Sequence, residues 1–150
     1  REIKRKQSEY ETWVRQELKF MPYVPILFIS ALTGERISHV IPTALEIAQA
    51  RYQRLPTGML NDLIRQALSA HPPPSKRGKR MKVYYVTQAE VAPPTFVFFI
   101  NDLKLVHFGY KRYLENNIRE AYPFPGTPIR ILFRGHDKYK HAIKKNRKYR

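Results

Sequence analysis

The 150-residue chain contains no cysteine. Disulfides and thiolate metal sites are therefore excluded, and a reducing compartment suits it. Its longest apolar runs, "VPILFISAL" and "TFVFFI", fall far short of the roughly 20 residues a membrane-spanning helix needs. No secretory signal is seen. The histidines, His39, His71, His107, His136 and His141, have no metal-ligand spacing such as HxxxH. Glu115 and Glu120 have no acid–base spacing and read as solvated helix charges. There is no G-x-S-x-G nucleophile and no G-x-x-x-x-G-K-[ST] phosphate loop. A phosphate-hydrolysing centre is not expected within these residues. Acidic residues are also scarce: 12 Asp and Glu stand against 28 Lys and Arg, a net charge of +16.

The charge is unevenly spread. Residues 1–54 hold 9 Lys/Arg and 6 Asp/Glu, and residues 55–150 hold 19 and 6. A near-balanced front piece joined to a strongly basic back piece implies two units, the second facing a polyanion. Ribosomal RNA, DNA and an anionic membrane surface all satisfy charge alone. The apolar content of 43% is that of a folded globular protein. Because the chain opens on Arg1 rather than Met, it is expected to be cut from something longer.

Along the front piece, residues 3–20 read as a helix, with Ile3, Tyr10, Trp13, Val14 and Leu18 roughly on one face and Pro22 and Pro25 beyond its end. Val24 to Ile29 is a continuous apolar run of strand length, as in a sheet buried on both faces. Residues 36–54 read as a second helix whose buried side is Ile37, Val40, Ile41, Leu45, Ile47 and Ala48. Pro42 lies in its first two turns, where proline is best tolerated. This helix–strand–helix cannot bury both sheet faces alone and reads as the tail of a truncated α/β domain. Its exposed edge is open to pairing with another chain. Between strand and helix, "SALTG" is either a loop whose N–H groups meet a carbonyl or anion, or a plain turn with Ser30 bonding locally.

The back piece reads α-β-β-α-β. Thr57 is expected to cap a helix over 58–69, with Leu60, Leu63, Ile64, Ala67 and Leu68 on one stripe. "HPPPSKRGK" (71–79) reads as a Pro-rich basic loop. Residues 80–88 and 94–102 read as strands rich in aromatic and β-branched residues. Residues 110–121 form a helix with Tyr110, Tyr113, Leu114, Ile118 and Ala121 inward. "IRILFR" (129–134) alternates as a half-buried strand. This makes a compact α+β layer, helices on one face of a small three-stranded sheet. Its second strand is apolar on both sides, so its other face needs a cover, and the front piece is the expected one. Residues 136–150 have no periodicity and read as a basic tail that orders on a polyanion.

Cations that suit phosphate contact cluster in the 76–82 segment as Lys76, Arg77, Lys79, Arg80 and Lys82. Lys111, Arg112 and Arg119 add a helix face, Arg130 and Arg134 a strand face, and Lys144, Lys145, Arg147 and Lys148 lie in the tail. The alternative is ordinary solvated charge or internal ion pairs. Of the aromatics, mostly core by this reading, Tyr84 and Tyr85 best suit stacking on a single-stranded base.

Four stretches, "LFISALTGERISHV", "RLPTGMLNDLIRQAL", "PPPSKRGKRMKVYYVTQAEVAPPTFVFFIND" and "YKRYLENNIREAYPFPGTPIRILFR", run in a set order and spacing. Together they resemble the C-terminal part of the double-GTPase-domain ribosome-assembly family known as Der or EngA. The resemblance covers the chain to about Arg134. It implies that residues 1–54 end a second GTPase domain, that 55–135 form a KH-like domain, and that 136–150 are a basic tail. It implies a guanine loop in which the Ala31 N–H meets the base oxygen, Ser30 shapes the turn and Leu32 flanks the base. It implies GTP or GDP and magnesium in the intact parent, with no cofactor and no catalysis in the fragment. The implied partners are ribosomal RNA, the large ribosomal subunit and the upstream GTPase domains of the same chain, with no membrane. The implied compartment is a bacterial cytoplasm or a chloroplast stroma. One departure stands out. No G-x-x-G, the backbone clamp of KH modules, occurs anywhere. Binding is therefore expected through charge and shape. Two other readings remain open from the residues, a stand-alone basic RNA-binding module and a protein-docking module.

Overall fold

A computed structural model describes residues 2–135, with side chains from residue 7 onward. Two compact units are present. The first comprises Arg1–Arg51 together with Phe124–Pro128, and the second comprises Tyr52–Pro123 with the chain from Ile129 onward.

In the first unit α1 is Glu2–Glu17. The Arg15 guanidinium donates to the carbonyls of Val24 (2.7 Å) and Pro22 (3.3 Å), tying the segment after the helix back onto it. Val24–Ile29, expected as a strand, joins no ladder. A strand needs a neighbour to take its N–H and C=O groups, and no sheet forms among the described residues of this unit. The second helix begins as a 3-10 turn, Ile37–His39, and continues as α2, Val40–Arg51. None of its residues is buried; Ile47 alone of the expected apolar face is partly covered, and Ile37, Val40, Ile41, Leu45 and Ala48 are exposed. Tyr10 and Trp13 on α1 are exposed too, edge to face at 6.4 Å. The amphipathic pattern is real, but no layer lies within the unit for it to pack on.

The 124–128 segment, although flanked by the second unit on both sides, is built into the first. The Gly126 N–H donates to Tyr23 O at 2.8 Å, and Phe124 and Thr127 are almost fully buried.

The second unit carries the regular core. Helix α3 is Thr57–Ala70, burying Leu60, Ile64 and Ala67. Thr57 lies inside the helix rather than capping it; Pro56 takes the N-cap position and makes no side-chain bond. The sheet order is β3 (Val83–Val91), β4 (Pro94–Ile100), β5 (Arg130–Gly135). β3 and β4 are antiparallel; β4 and β5 are parallel, with α4 (Phe108–Ala121) as the crossover. All seven residues of β4 are buried, as its two-sided apolar sequence requires of a central strand. α4 buries Tyr110, Leu114 and Ile118, whereas Ala121, expected inward, is exposed. The tyrosines of α4 close the end of α3: Tyr110 Oη donates to His71 O (2.6 Å) and Tyr113 Oη to Ala67 O (2.8 Å). Burial, reinforced by Tyr113, pushes the Tyr110 phenol up to about 12, so it stays a neutral donor.

β3 is an edge strand; one side-chain amide blunts it, and another reaches from it to the chain before α3. Asn61 Oδ1 accepts from Val86 N (3.0 Å) while its Nδ2 donates to Val86 O (2.8 Å). Gln88 Oε1 accepts from Leu55 N (2.8 Å) and its Nε2 donates to Gln53 O (2.9 Å).

At the start of α4, His107 caps the helix through Nδ1, which accepts from Gly109 N at 3.2 Å. Imidazole is a weak cap. His107→Asp keeps an acceptor there and adds negative charge at the positive end of the helix dipole. A stabilisation of about 1 kcal/mol is expected, seen as a rise in the urea midpoint; a fall would refute the capping role.

Candidate nucleic-acid interface

The segment 75–80, expected as a loop, is a β-hairpin of two short strands, β1 (Ser75–Lys76) and β2 (Lys79–Arg80). Its turn residues Arg77 (φ 52°) and Gly78 (φ 73°) both have positive φ, the sign pattern of the type I′ turn that suits two-residue hairpins. Glycine takes that conformation freely; arginine pays about 1 kcal/mol for it. The register puts Lys76 directly opposite Lys79, and like charges facing across a ladder repel. All four strand residues are exposed. Among the described residues, no carboxylate pairs with Lys76, Arg77, Lys79, Arg80 or Lys82.

The hairpin is firmly mounted. Lys76 Nζ donates to Lys104 O at 3.0 Å, in a 3-10 turn that Asp102 caps by accepting from Lys104 N. Asn101 accepts from Lys82 N (2.8 Å) and donates to Arg80 O (3.0 Å), holding the chain that leads from β2 into β3. The Lys104 carbonyl thus anchors the hairpin from a distant part of the chain, and no local pattern signals it.

The other candidate cations lie elsewhere in the chain's elements. Lys111 and Arg112 stand on α4, part-covered and exposed respectively. Arg119 is mostly covered, with Nε 3.3 Å from Glu115 and Nη1 donating to Pro123 O. Arg130 and Arg134 are exposed on β5. Lys144, Lys145, Arg147 and Lys148, with His136 and His141, fall outside the described residues. Tyr84 is 46% exposed at a register break between Val83 and Tyr85, and Tyr85 packs toward Phe99 with ring centroids 6.3 Å apart.

In the first unit the 30–36 loop closes on itself. Gly34 N donates to Ser30 O (2.9 Å), Thr33 N to Ser30 Oγ (3.2 Å) and Ser30 N to Glu35 O (3.1 Å). Ser30 therefore shapes the turn. Leu32 is 96% exposed. The Ala31 N–H has no acceptor among the described residues.

Residues 54–134 match the family model described as the KH-domain-like of EngA bacterial GTPase enzymes, C-terminal. The chain belongs to this family. It is 55% identical over 125 residues to the GTPase Der of Thermomicrobium roseum, an overlap covering 83% of the chain and 27% of that protein. To the GTPase Der of Moorella thermoacetica it is 52% identical over 130 residues, covering 87% and 30%. To that of Brevibacillus brevis it is 52% identical over 121 residues, covering 81% and 28%. The chain thus spans under a third of the length of these relatives. In this EngA-type KH-like domain, α3, β3, β4, α4 and nearly all of β5 fall inside the matched region, and so does the basic hairpin.

Proposed function

We propose that the chain is the C-terminal part of a GTP-binding protein that acts in assembly of the large ribosomal subunit, its KH-like domain contacting ribosomal RNA. The name GTPase Der on relatives that overlap most of the chain supports the GTP-binding parentage. The observation that carries RNA contact is the hairpin. It sets Lys76 against Lys79 and places Arg77 at positive φ, without a carboxylate partner among the described residues. Such an arrangement costs stability, and phosphate groups relieve the repulsion.

A guanine-binding role for the 30–32 loop is supported by the Ser30 side chain bracing the turn, by an Ala31 N–H with no acceptor among the described residues and by the exposed Leu32 beside it. GTP or GDP, when bound, supplies the phosphate chemistry of the parent. Magnesium is proposed for the parent only; among the described residues no group of three or more His, Asp or Glu side chains could hold a metal ion. The upstream GTPase domains are the proposed partner within the same protein. The proposed compartment is the cytoplasm, or a chloroplast stroma. Among the described residues no helix is long and apolar enough to cross a membrane.

The test is binding to structured ribosomal RNA across a salt series, for the chain and for a variant with Lys76, Arg77, Lys79 and Arg80 changed to Gln. Four phosphate contacts give a log–log salt slope of about −3.6, roughly a 100-fold loss between 50 and 200 mM salt. The variant is expected to lose most of that slope. An unchanged slope would remove the hairpin from the interface.

A further inference from the structure

We propose that Ser75 is a phosphorylation site, and that a phosphate there pairs with Arg80 and withdraws the hairpin from its polyanion partner. The withdrawal rests on the RNA-contact reading above; the site and the pairing do not.

Ser75 is the only hydroxyl-bearing residue between His71 and Lys82. It is exposed on β1, and among the described residues its hydroxyl makes no hydrogen bond. Pro72, Pro73 and Pro74 lead into it. Proline has no N–H to give a ladder and holds an extended approach, the form in which a peptide enters an enzyme's substrate groove. Lys76, Arg77, Lys79, Arg80 and Lys82 follow. The enzyme that fits this segment is a protein serine kinase with an acidic substrate groove. The step moves the γ-phosphoryl group of ATP. A bond forms between Ser75 Oγ and phosphorus as the bond from phosphorus to the β-phosphate oxygen breaks. ADP leaves, and the hydroxyl proton passes to the catalytic base of the kinase.

The register decides what the phosphate meets. Ser75 stands directly opposite Arg80, as Lys76 stands opposite Lys79. Residues opposite each other in a ladder share a face, with Cβ atoms about 4.5–5.5 Å apart. The Arg80 guanidinium therefore reaches a phosphate on Ser75, and its fork of N–H groups suits phosphate oxygens. Among the described residues Arg80 has no carboxylate to give up. Exposure alternates through exposed Arg80, buried Met81 and exposed Lys82, so Lys82 shares the outer side with Arg80 and adds a second cation. Lys76, next to Ser75 and so on the other face, is held by the Lys104 carbonyl and stays outside this pairing. A phosphoserine carries about −1.5 to −2 charges at neutral pH. It offsets Arg80 and Lys82 and repels an incoming phosphate.

The experiment has three readouts on the 150-residue chain. Treated with ATP and a serine kinase that prefers basic peptides, the chain is expected to carry phosphate on Ser75 by mass spectrometry; failure to label Ser75 would overturn the site. The chain carrying phosphoserine only at position 75 is then titrated by phosphorus NMR, without RNA. The second ionisation of the phosphate is expected below the value of about 6 of free phosphoserine, and nearer to it in Arg80→Gln. A phosphate that titrates at the free value in both chains would overturn the pairing. Last, binding to structured ribosomal RNA is followed by fluorescence anisotropy across a salt series. The log–log slope of about −3.6 is expected to halve, to about −1.8, with binding about tenfold weaker at low salt. Ser75→Ala is expected to bind like the unmodified chain, which separates the charge from the loss of the hydroxyl. A phosphorylated chain with the slope and affinity of the unmodified one would overturn the withdrawal and leave the RNA reading in place. If the unmodified chain binds no RNA at low salt, the RNA reading falls and the withdrawal with it, while the labelling and the titration still decide the site and the pairing.

Discussion

Gly126→Ala is expected to destabilise the first unit by about 2–5 kcal/mol. Gly126 has φ 62°, where an L side chain costs about 1–2 kcal/mol. A Cβ there would also sit 2.7 Å from the Cδ1 and Cγ1 atoms of Ile47, and overpacking of that kind costs about 1–3 kcal/mol. Two controls separate the contributions. Gly34 has φ 73° and open space around its missing Cβ, so Gly34→Ala should show the backbone strain alone. Pairing Gly126→Ala with Ile47→Ala should cost less than the two single changes together. Trp13, the only tryptophan, lies in α1 of this unit, and its fluorescence in urea is the readout. A shift no larger than that of Gly34→Ala would show that Ile47 yields freely.

Gln88→Leu is expected to destabilise the second unit by about 2–4 kcal/mol. Gln88 is buried on β3, accepting from the Leu55 N–H and donating to Gln53 O. Leucine satisfies neither. The Leu55 N–H belongs to a buried residue and would be left without an acceptor; an orphaned buried donor costs about 1–3 kcal/mol. The lost bond to Gln53 O adds about 1 kcal/mol, softened because Gln53 is exposed and water can reach it. Urea unfolding followed by circular dichroism should show a lower midpoint with an unchanged slope. A change below about 0.5 kcal/mol, the range of ordinary surface substitutions, would mean the amide is dispensable.

Periodicity and composition carried much of the second unit. The stripe of α3 and the inward face of α4 are local patterns, and local patterns are legible. "TFVFFI" announced a strand covered on both sides, and β4 is that strand. The hairpin at 75–80 escaped because strands of two residues are too short to show alternation; the Arg-Gly pair at its turn was the available signal. Val24–Ile29 misled for the opposite reason. Its composition is that of a strand, but pairing depends on a neighbour that composition does not reveal.

The sites divide the same way. Which cations exist is written in the chain, but their availability is a property of contacts. Arg119 is engaged with Glu115 and the Pro123 carbonyl, while Lys76 reaches the Lys104 carbonyl 28 residues away. Tyr84 and Tyr85 looked alike as stacking candidates. The bulge on β3 separates them, leaving Tyr84 half exposed and turning Tyr85 toward Phe99. No run of residues shows the side-chain amides that tie β3 to its surroundings, because Asn61 and Gln88 act on backbone groups 25 and 33 positions away.

By itself the sequence determined the family, the basic character of the second unit, the absence of a phosphate-hydrolysing loop and the identity of the central strand. Each of these depends on residue types and near spacings alone. The tertiary structure decided which of the described charges stand free of carboxylates and where 124–128 belongs. Those depend on contacts across tens of residues, and a backbone group or an ion finds its partner only once the chain has folded.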